Sequence, residues 1–253
     1  MDVAIMSLLY TSAGSCCSKG QASQAWKVTF AFACCTALLL VAAPALQMVQ
    51  ASDADPLQDF CVADLSPSAP HVNGLACKDR ATVTSKDFLF TGFRKAGNVS
   101  ISGTNAIPTL GDVHQYPALN TQGISHVRLD FGVGGVIPPH IHPLATETLF
   151  VVQGSIYTGF ISYDNVLYAE VLQQGDVFIF ARASLHFQIN VGTGPAVTFN
   201  SLNSQDPGFL LTANQLLATN ISSAVLEASL GINSQELYSL QASVPSFWSQ
   251  AAP

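Results

Sequence analysis

Three histidines and one glutamate have the residue types and the spacing of a metal site. His140 and His142 are separated by one residue, and side chains two apart on a strand point to the same face. Glu147 follows Pro143, which interrupts a strand and allows the chain to fold back, and His186 lies in a later β-type segment. Three imidazoles and one carboxylate form a mixed nitrogen and oxygen donor set for a divalent transition metal ion. In an octahedral shell they would leave two positions for water or substrate.

The other histidines fit ordinary structural roles. A lone histidine in a strand is most often a core or surface residue, and we interpret His71, His114 and His126 in this way. His126 alternates with Arg128 and Asp130, which predicts a polar strand face away from the metal. The His-x-His pair alone would support a metal site only weakly, and the carboxylate and downstream histidine strengthen it. The ligand types do not choose among manganese, iron and zinc.

Short β-type segments separated by turns must position these side chains. The segments are rich in Val, Ile, Phe, Tyr and Thr, and glycine-containing turns recur between them. The predicted strands are residues 88–90, 124–131, 148–152, 155–161, 166–172, 177–180, 185–191 and 196–200. Strands without a long helix between them predict an all-β fold, an antiparallel sandwich or barrel rather than a parallel α/β sheet.

The pattern becomes helical after Pro207. Apolar residues recur at helix-compatible intervals, Gly231 is placed to end one helix, and Asn233 with Glu236 has the spacing of a capping box. These helices carry too little apolar surface to fold alone. We expect them either to cover the barrel or to clasp a neighbouring subunit.

The first 51 residues have the order of a secretory signal with an extended amino-terminal end. Residues 28–46 are almost unbroken apolar sequence, lysines precede them, and the triplet ending at Ala51 is suited to cleavage. An uncleaved signal anchor is the alternative, because the run approaches the ~20 residues of a membrane span. Pro44 and the cleavage triplet favour removal. We therefore expect a secreted protein with no membrane attachment after cleavage.

Cysteine usage agrees with export. Four of the six cysteines would be removed with the signal peptide. The mature protein would then keep Cys61 and Cys77 and pass through the oxidising secretory pathway. We expect them to pair, with two buried free thiols as the alternative. Asn98 and Asn220 each begin an Asn-x-Ser triplet and are candidate glycosylation sites.

Charge excludes several classes of protein. Only 10% of the 253 residues are charged, which excludes a coiled coil or an acidic disordered tail. The net formal charge of -7 repels phosphate backbones, so we expect no nucleic-acid partner.

The spacing around the histidines resembles the two sequence boxes of the germins, a family of the cupin superfamily. Every fixed position of the first box is matched, and three positions of the second. These residues are Gly134, His140, His142, Glu147 and Gly154 in the first box, and Gly175, His186 and Asn190 in the second. With the segments 55–64 and 203–208, the likeness covers essentially all of residues 52–253.

This resemblance implies a fold, a cofactor and an assembly. The fold would be a cupin jelly-roll β-barrel over residues 86–208, preceded by a disulfide-closed segment at 52–85 and followed by C-terminal helices at 209–253. The cofactor would be Mn²⁺, held by His140, His142, Glu147 and His186, and the disulfide would join Cys61 to Cys77. The protein would be a glycoprotein of the plant cell wall and apoplast. It would form a homohexamer, a trimer of dimers, with the C-terminal helices as the clasp.

Five positions depart from the germin pattern. Oxalate oxidases of the family hold their substrate with two asparagines, and by alignment these positions are Val127 and Ile137 here. Each lost hydrogen bond to a carboxylate is worth about 1.5–3 kcal/mol. Together they weaken oxalate binding by roughly two to four orders of magnitude, so we expect little or no oxalate oxidase activity. Leu144 replaces a common arginine, and Ala181 and Ala183 stand at the usual Pro and Gly positions.

The likeness to germins leads to one preferred function and two alternatives. Superoxide is small and needs only an open coordination position and a redox-active ion. Superoxide dismutation is therefore the reaction that these five substitutions should impair least. The preferred interpretation is a secreted manganese-binding germin-like protein with superoxide dismutase activity and a role in plant defence. The alternative is a non-catalytic cell-wall or storage protein with a structural metal. A sugar-modifying or auxin-binding cupin is less favoured, because no polar ligand-binding cluster is evident near the site.

Overall fold

A computed structural model describes residues 58–70 and 74–244 of the chain. The predicted secretory signal at 1–51 and His71 lie outside these residues. Within the described part, no helix combines the length and the apolar character needed to cross a membrane.

Across residues 58–70 and 74–244, ten β-strands form two five-stranded antiparallel sheets. The strands are β1 (Ala106–Gly111), β2 (Ser125–Phe131), β3 (Val136–Ile141), β4 (Glu147–Gln153), β5 (Ser155–Ile161), β6 (Leu167–Gln173), β7 (Val177–Phe180), β8 (Leu185–Asn190), β9 (Ala196–Leu202) and β10 (Leu210–Leu211). The strand order is β1-β2-β9-β4-β7 in one sheet and β10-β3-β8-β5-β6 in the other. One buried apolar cluster draws on strands of both sheets, so the two sheets share a core. The predicted all-β class is confirmed.

The interior of the two sheets contains a polar region beside the apolar core. β8 alternates buried and half-buried residues and buries His186, Gln188 and Asn190. β9 alternates in the same way and buries Thr198 and Asn200. Because alternate residues of a strand face one side, these polar side chains share the interior with the apolar cluster.

Prolines occur in two of the strands. β1 contains Pro108 and was not expected, but it lies at the edge of its sheet, where a residue without an N–H group is tolerated. β3 contains Pro138 and Pro139, and its pairing with β8 shifts register between Ile137 and His140. Such bulges redirect side chains, and this one lies immediately before the first histidine of the His-x-His pair.

The predicted strand at residues 88–90 is wrong. A 3₁₀ helix occupies Ser85–Phe88 instead and begins with a capping box between Thr84 and Asp87. The Lys78 ammonium donates to the Asp87 carboxylate at 2.8 Å and secures this turn. The local capping groups therefore override the β preference of the apolar residues that follow.

Within the described residues, three α-helices follow the sheets, in the region where the sequence predicts helices. They are α1 (Thr212–Leu217), α2 (Ser223–Leu230) and α3 (Ser234–Ser243). Gly231 ends α2 with a left-handed φ of 68°, a conformation that glycine adopts without steric cost. Asn233 and Glu236 form the capping box of α3. Leu216, Val225 and Tyr238 stay exposed in the single chain.

Before the sheets, a disulfide joins Cys61 to Cys77, the pairing that the sequence and the germin resemblance led us to expect. A β-bridge between Ala63 and Cys77 lies beside it. Both candidate glycosylation residues, Asn98 and Asn220, are exposed.

Candidate metal centre

Three separate strand regions bring the four predicted metal ligands together. His140 lies on β3 opposite His186 of β8, His142 lies just beyond the end of β3, and Glu147 begins β4. The turn after Pro143 carries the chain from one sheet to the other and brings Glu147 to the histidines. All four side chains are buried, and their candidate ligand atoms lie within 4.8 Å of one another.

Backbone carbonyl groups fix the orientation of all three imidazoles. In each histidine the Nδ1 atom lies at hydrogen-bond distance from a carbonyl oxygen, which accepts the Nδ1 proton. The pairs are His140 with Pro138 (2.8 Å), His142 with Gly208, and His186 with Ser184 (2.8 Å). An Nδ1 that donates leaves the Nε2 lone pair of a neutral imidazole available as a metal ligand, which is the usual outer support of metal-binding histidines.

The Glu147 carboxylate faces these Nε2 atoms. Its Oε2 atom lies 3.1 Å from Nε2 of both His142 and His186, while Oε1 accepts a hydrogen bond from the Asn200 amide. Lone pairs on neutral imidazoles and on a carboxylate repel each other unless a cation lies between them. The donor set therefore fits a divalent cation with three nitrogen ligands and one oxygen ligand.

Burial and mutual charge shape the proton affinities of the site. Burial and the neighbouring imidazoles hold the pKa of His140 well below its ordinary value. Burial also opposes charge on His142, but the Glu147 carboxylate outweighs it and raises the pKa of that imidazole. Burial likewise opposes charge on Glu147, yet His142 and His186 hold its pKa well below the usual range. An ionised carboxylate beside the imidazoles favours cation binding.

An apolar cavity of about 40 Å³ adjoins three of the four side chains, those of His140, His142 and Glu147. Apart from the candidate ligands, its lining is entirely apolar and consists of Pro108, Leu110, Val127, Leu129, Ile137 and Phe209. The Phe209 ring packs 4.8 Å from the His140 ring. A cavity of this size accepts a molecule comparable with one or two waters. Val127 and Ile137 line this cavity and offer aliphatic groups to anything that enters.

Two carboxylates lie in a second cavity that shares His142 and Val127 with the first. They belong to Asp112 and Asp206. Burial raises the pKa of Asp112, and His114 lies 3.6 Å from Asp206. Nothing in the sequence singles out these two residues. They lie 94 positions apart, and no local pattern connects them.

The remaining predicted positions lie outside the metal group. His126 contacts the Ser201 hydroxyl at 3.1 Å through Nδ1, which agrees with a structural role. Leu144 is half exposed. Ala181 and Ala183 lie in the turn before β8, and Ala183 has a left-handed φ of 55°. The substitution at the germin glycine position therefore falls where glycine is favoured.

The comparisons with known proteins agree with this architecture. The Cupin family model matches residues 91–237. A putative germin-like protein of Arabidopsis thaliana, subfamily 1 member 12, is 46% identical over 185 residues, which are 72% of this chain and 83% of the relative. The chain belongs to the germin-like proteins of the cupin family. Its fold is therefore a cupin fold, with the two antiparallel sheets in a jelly-roll arrangement.

Solved structures of germin-like folds carry more than one described activity. A structure of oxalate oxidase matches with a TM-score of 0.73 and 38% sequence identity. The match covers 76% of this chain and 97% of the oxalate oxidase chain. Peruvianin-I, described as a cysteine peptidase from Thevetia peruviana latex, has a TM-score of 0.61 and 39% identity. The match covers 64% of this chain and 98% of the Peruvianin-I chain. The fold alone therefore does not assign an activity, and the function must be argued from the site.

Proposed function

We propose that this germin-like protein is a secreted manganese protein that dismutes superoxide. The single observation that supports it most is the convergence of three imidazoles and the Glu147 carboxylate, with each imidazole oriented by a backbone carbonyl. When bound, manganese would supply one-electron chemistry, alternately accepting an electron from superoxide and donating one to it. The family likeness favours manganese over the iron and zinc that the same ligands accept.

The chain's own residues would orient the ion and limit what reaches it. The carbonyl partners hold the imidazole rings, and Phe180 stacks on His186 with ring centroids 4.4 Å apart. The apolar lining excludes bulk water and large polar molecules, while a cavity of about 40 Å³ accepts a diatomic anion.

The same lining argues against oxalate oxidation. Val127 and Ile137 provide no hydrogen-bond donor to a dicarboxylate, and a buried carboxylate without partners is costly. We therefore propose that the protein has little or no oxalate oxidase activity.

Metal analysis and two assays on the secreted protein test this proposal. We expect close to one manganese per chain, catalytic loss of superoxide, and negligible hydrogen peroxide from oxalate. The variant His140→Ala removes one ligand and should lose both manganese and activity. The matched control His126→Ala removes a histidine outside the centre and should keep both. Full manganese occupancy without dismutation would reject the catalytic part of the proposal.

A non-catalytic cell-wall or storage protein with a structural metal is the second candidate. Asp112 and Asp206 favour it, because carboxylates beside the metal cavity repel anions such as superoxide. In this case metal removal would lower thermal stability, and no dismutation would accompany full metal occupancy.

Secretion to the apoplast, glycosylation and a homohexamer complete the proposal. Exposed Asn98 and Asn220 can accept glycans, and the exposed apolar residues of α2 and α3 offer a surface for a neighbouring subunit. Light scattering before and after glycosidase treatment measures both properties. A deglycosylated mass near that of one chain would reject the hexamer.

A further inference from the structure

We infer that Asn200 is a positioning residue that restricts Glu147 to one metal-facing oxygen. The inference rests on the proposed metal function and deepens it. Asn200 lies on β9, opposite Leu149 of β4 and Val127 of β2, and its side chain is fully buried. From this place its Nδ2 group donates to Oε1 of Glu147.

The amide makes the two carboxylate oxygens unequal. Oε1 is engaged by Asn200, whereas Oε2 lies 3.1 Å from Nε2 of both His142 and His186. A carboxylate that can bind through either one or two oxygens is thereby directed to bind through one. Together with three imidazoles this would give four protein ligands, and an octahedral ion would then keep two positions for small molecules.

Packing and a polar network do not by themselves account for this buried amide. Within the described part of the chain, Oδ1 of Asn200 has no hydrogen-bond partner. A half-satisfied amide in the interior is destabilising compared with an apolar residue of the same shape. Its bond to Glu147 is thus the feature that distinguishes Asn200 from a leucine at the same position.

The same strand provides a matched control. Thr198 lies two residues before Asn200, faces the same interior and is fully buried, and its hydroxyl has no hydrogen-bond partner among the described residues. The substitution Thr198→Val removes a buried polar atom without touching Glu147. Asn200→Leu keeps the branching at Cγ and removes only the donor and acceptor.

Metal and anion titrations of the full secreted chain test the inference. Dissociation constants are measured for Mn²⁺ and, separately, Co²⁺, and azide is then titrated into each metal-loaded protein as a small-anion probe. We expect Asn200→Leu to weaken metal binding about 10–100-fold, the usual effect of losing an outer-shell partner. We also expect weaker azide binding and a changed visible spectrum of bound Co²⁺, because the freed second oxygen takes an open position. Thr198→Val should match the wild type in every measurement.

The outcomes separate this inference from the proposed function. Metal and azide binding by Asn200→Leu at wild-type strength, or equal losses in Thr198→Val, would overturn the role of Asn200 alone. A wild-type chain that binds neither ion would overturn both. If Asn200→Leu does not fold, Asn200→Ser replaces it, since the shorter hydroxyl does not reach Glu147 and should give the same losses.

Discussion

Replacing Ala183 by glycine is expected to stabilise this protein. Ala183 has a φ of 55° in the turn that leads into β8 and its ligand His186. In this left-handed conformation the Cβ atom crowds the following carbonyl oxygen. The Ala183 side chain is exposed, so the Ala183→Gly substitution removes no buried contact.

Two opposing contributions set the size of the effect. A left-handed conformation costs an ordinary residue about 1–2 kcal/mol, which glycine avoids. Glycine also makes the unfolded chain more flexible, which costs about 0.4–1 kcal/mol. The difference favours Ala183→Gly by ~0.5–1 kcal/mol, and for a chain of this size that raises the melting temperature by about 1–4 °C.

Ala181→Gly is the matched control for this prediction. Ala181 lies in the same turn and is also exposed, but it is not among the residues with positive φ. Only the flexibility cost then applies, so Ala181→Gly should lower the melting temperature. Calorimetry and urea unfolding of the two variants and the wild type measure the difference. If Ala183→Gly destabilises the protein as much as Ala181→Gly, the strain argument is refuted.

Three further predictions concern the disulfide, an ion pair and the two carboxylates of the second cavity. Replacing Cys61 and Cys77 by serine should lower the free energy of unfolding by about 3 kcal/mol, because the bridge closes a loop with a sequence separation of 16 residues. The hydrogen bond that Lys78 donates to Asp87 lowers the pKa of the Asp87 carboxyl group from 3.8 to about 2. Asp87→Asn should therefore reduce the urea midpoint at pH 6 but not near pH 2, since the stabilisation is lost as pH falls from about 4 to 2. Neutralising Asp112 and Asp206 together should increase the superoxide rate several-fold at low salt, measured by stopped flow.

Each of these predictions has an outcome that contradicts it. Unchanged unfolding of the double serine variant would show that the loop is already ordered without the bridge. A midpoint difference for Asp87→Asn that persists at pH 2 would rule out the ion pair as its source. If salt slows the wild-type reaction instead of accelerating it, the Asp112 and Asp206 carboxylates do not control the approach of the anion.

The local parts of the fold were predictable from the sequence. Segments rich in Val, Ile, Phe, Tyr and Thr between glycine-containing turns identified most strands. Capping residues and their spacing located the end of α2 and the start of α3. The strand predicted at 88–90 failed because apolar character alone does not distinguish a strand from a capped turn. β1 was not predicted because Pro108 argues against a strand in this segment. A proline is tolerated there because β1 lies at the edge of its sheet.

The sequence by itself determined which side chains form the candidate metal centre. His140, His142 and Glu147 lie close together along the chain, and His186 occupies its place in the second germin box. The tertiary structure decided how they are held. His142 is oriented by a carbonyl 66 residues away, and Glu147 by an amide 53 residues away. Such partners meet only once the strands have paired in register, and strand register depends on the packing of the whole core.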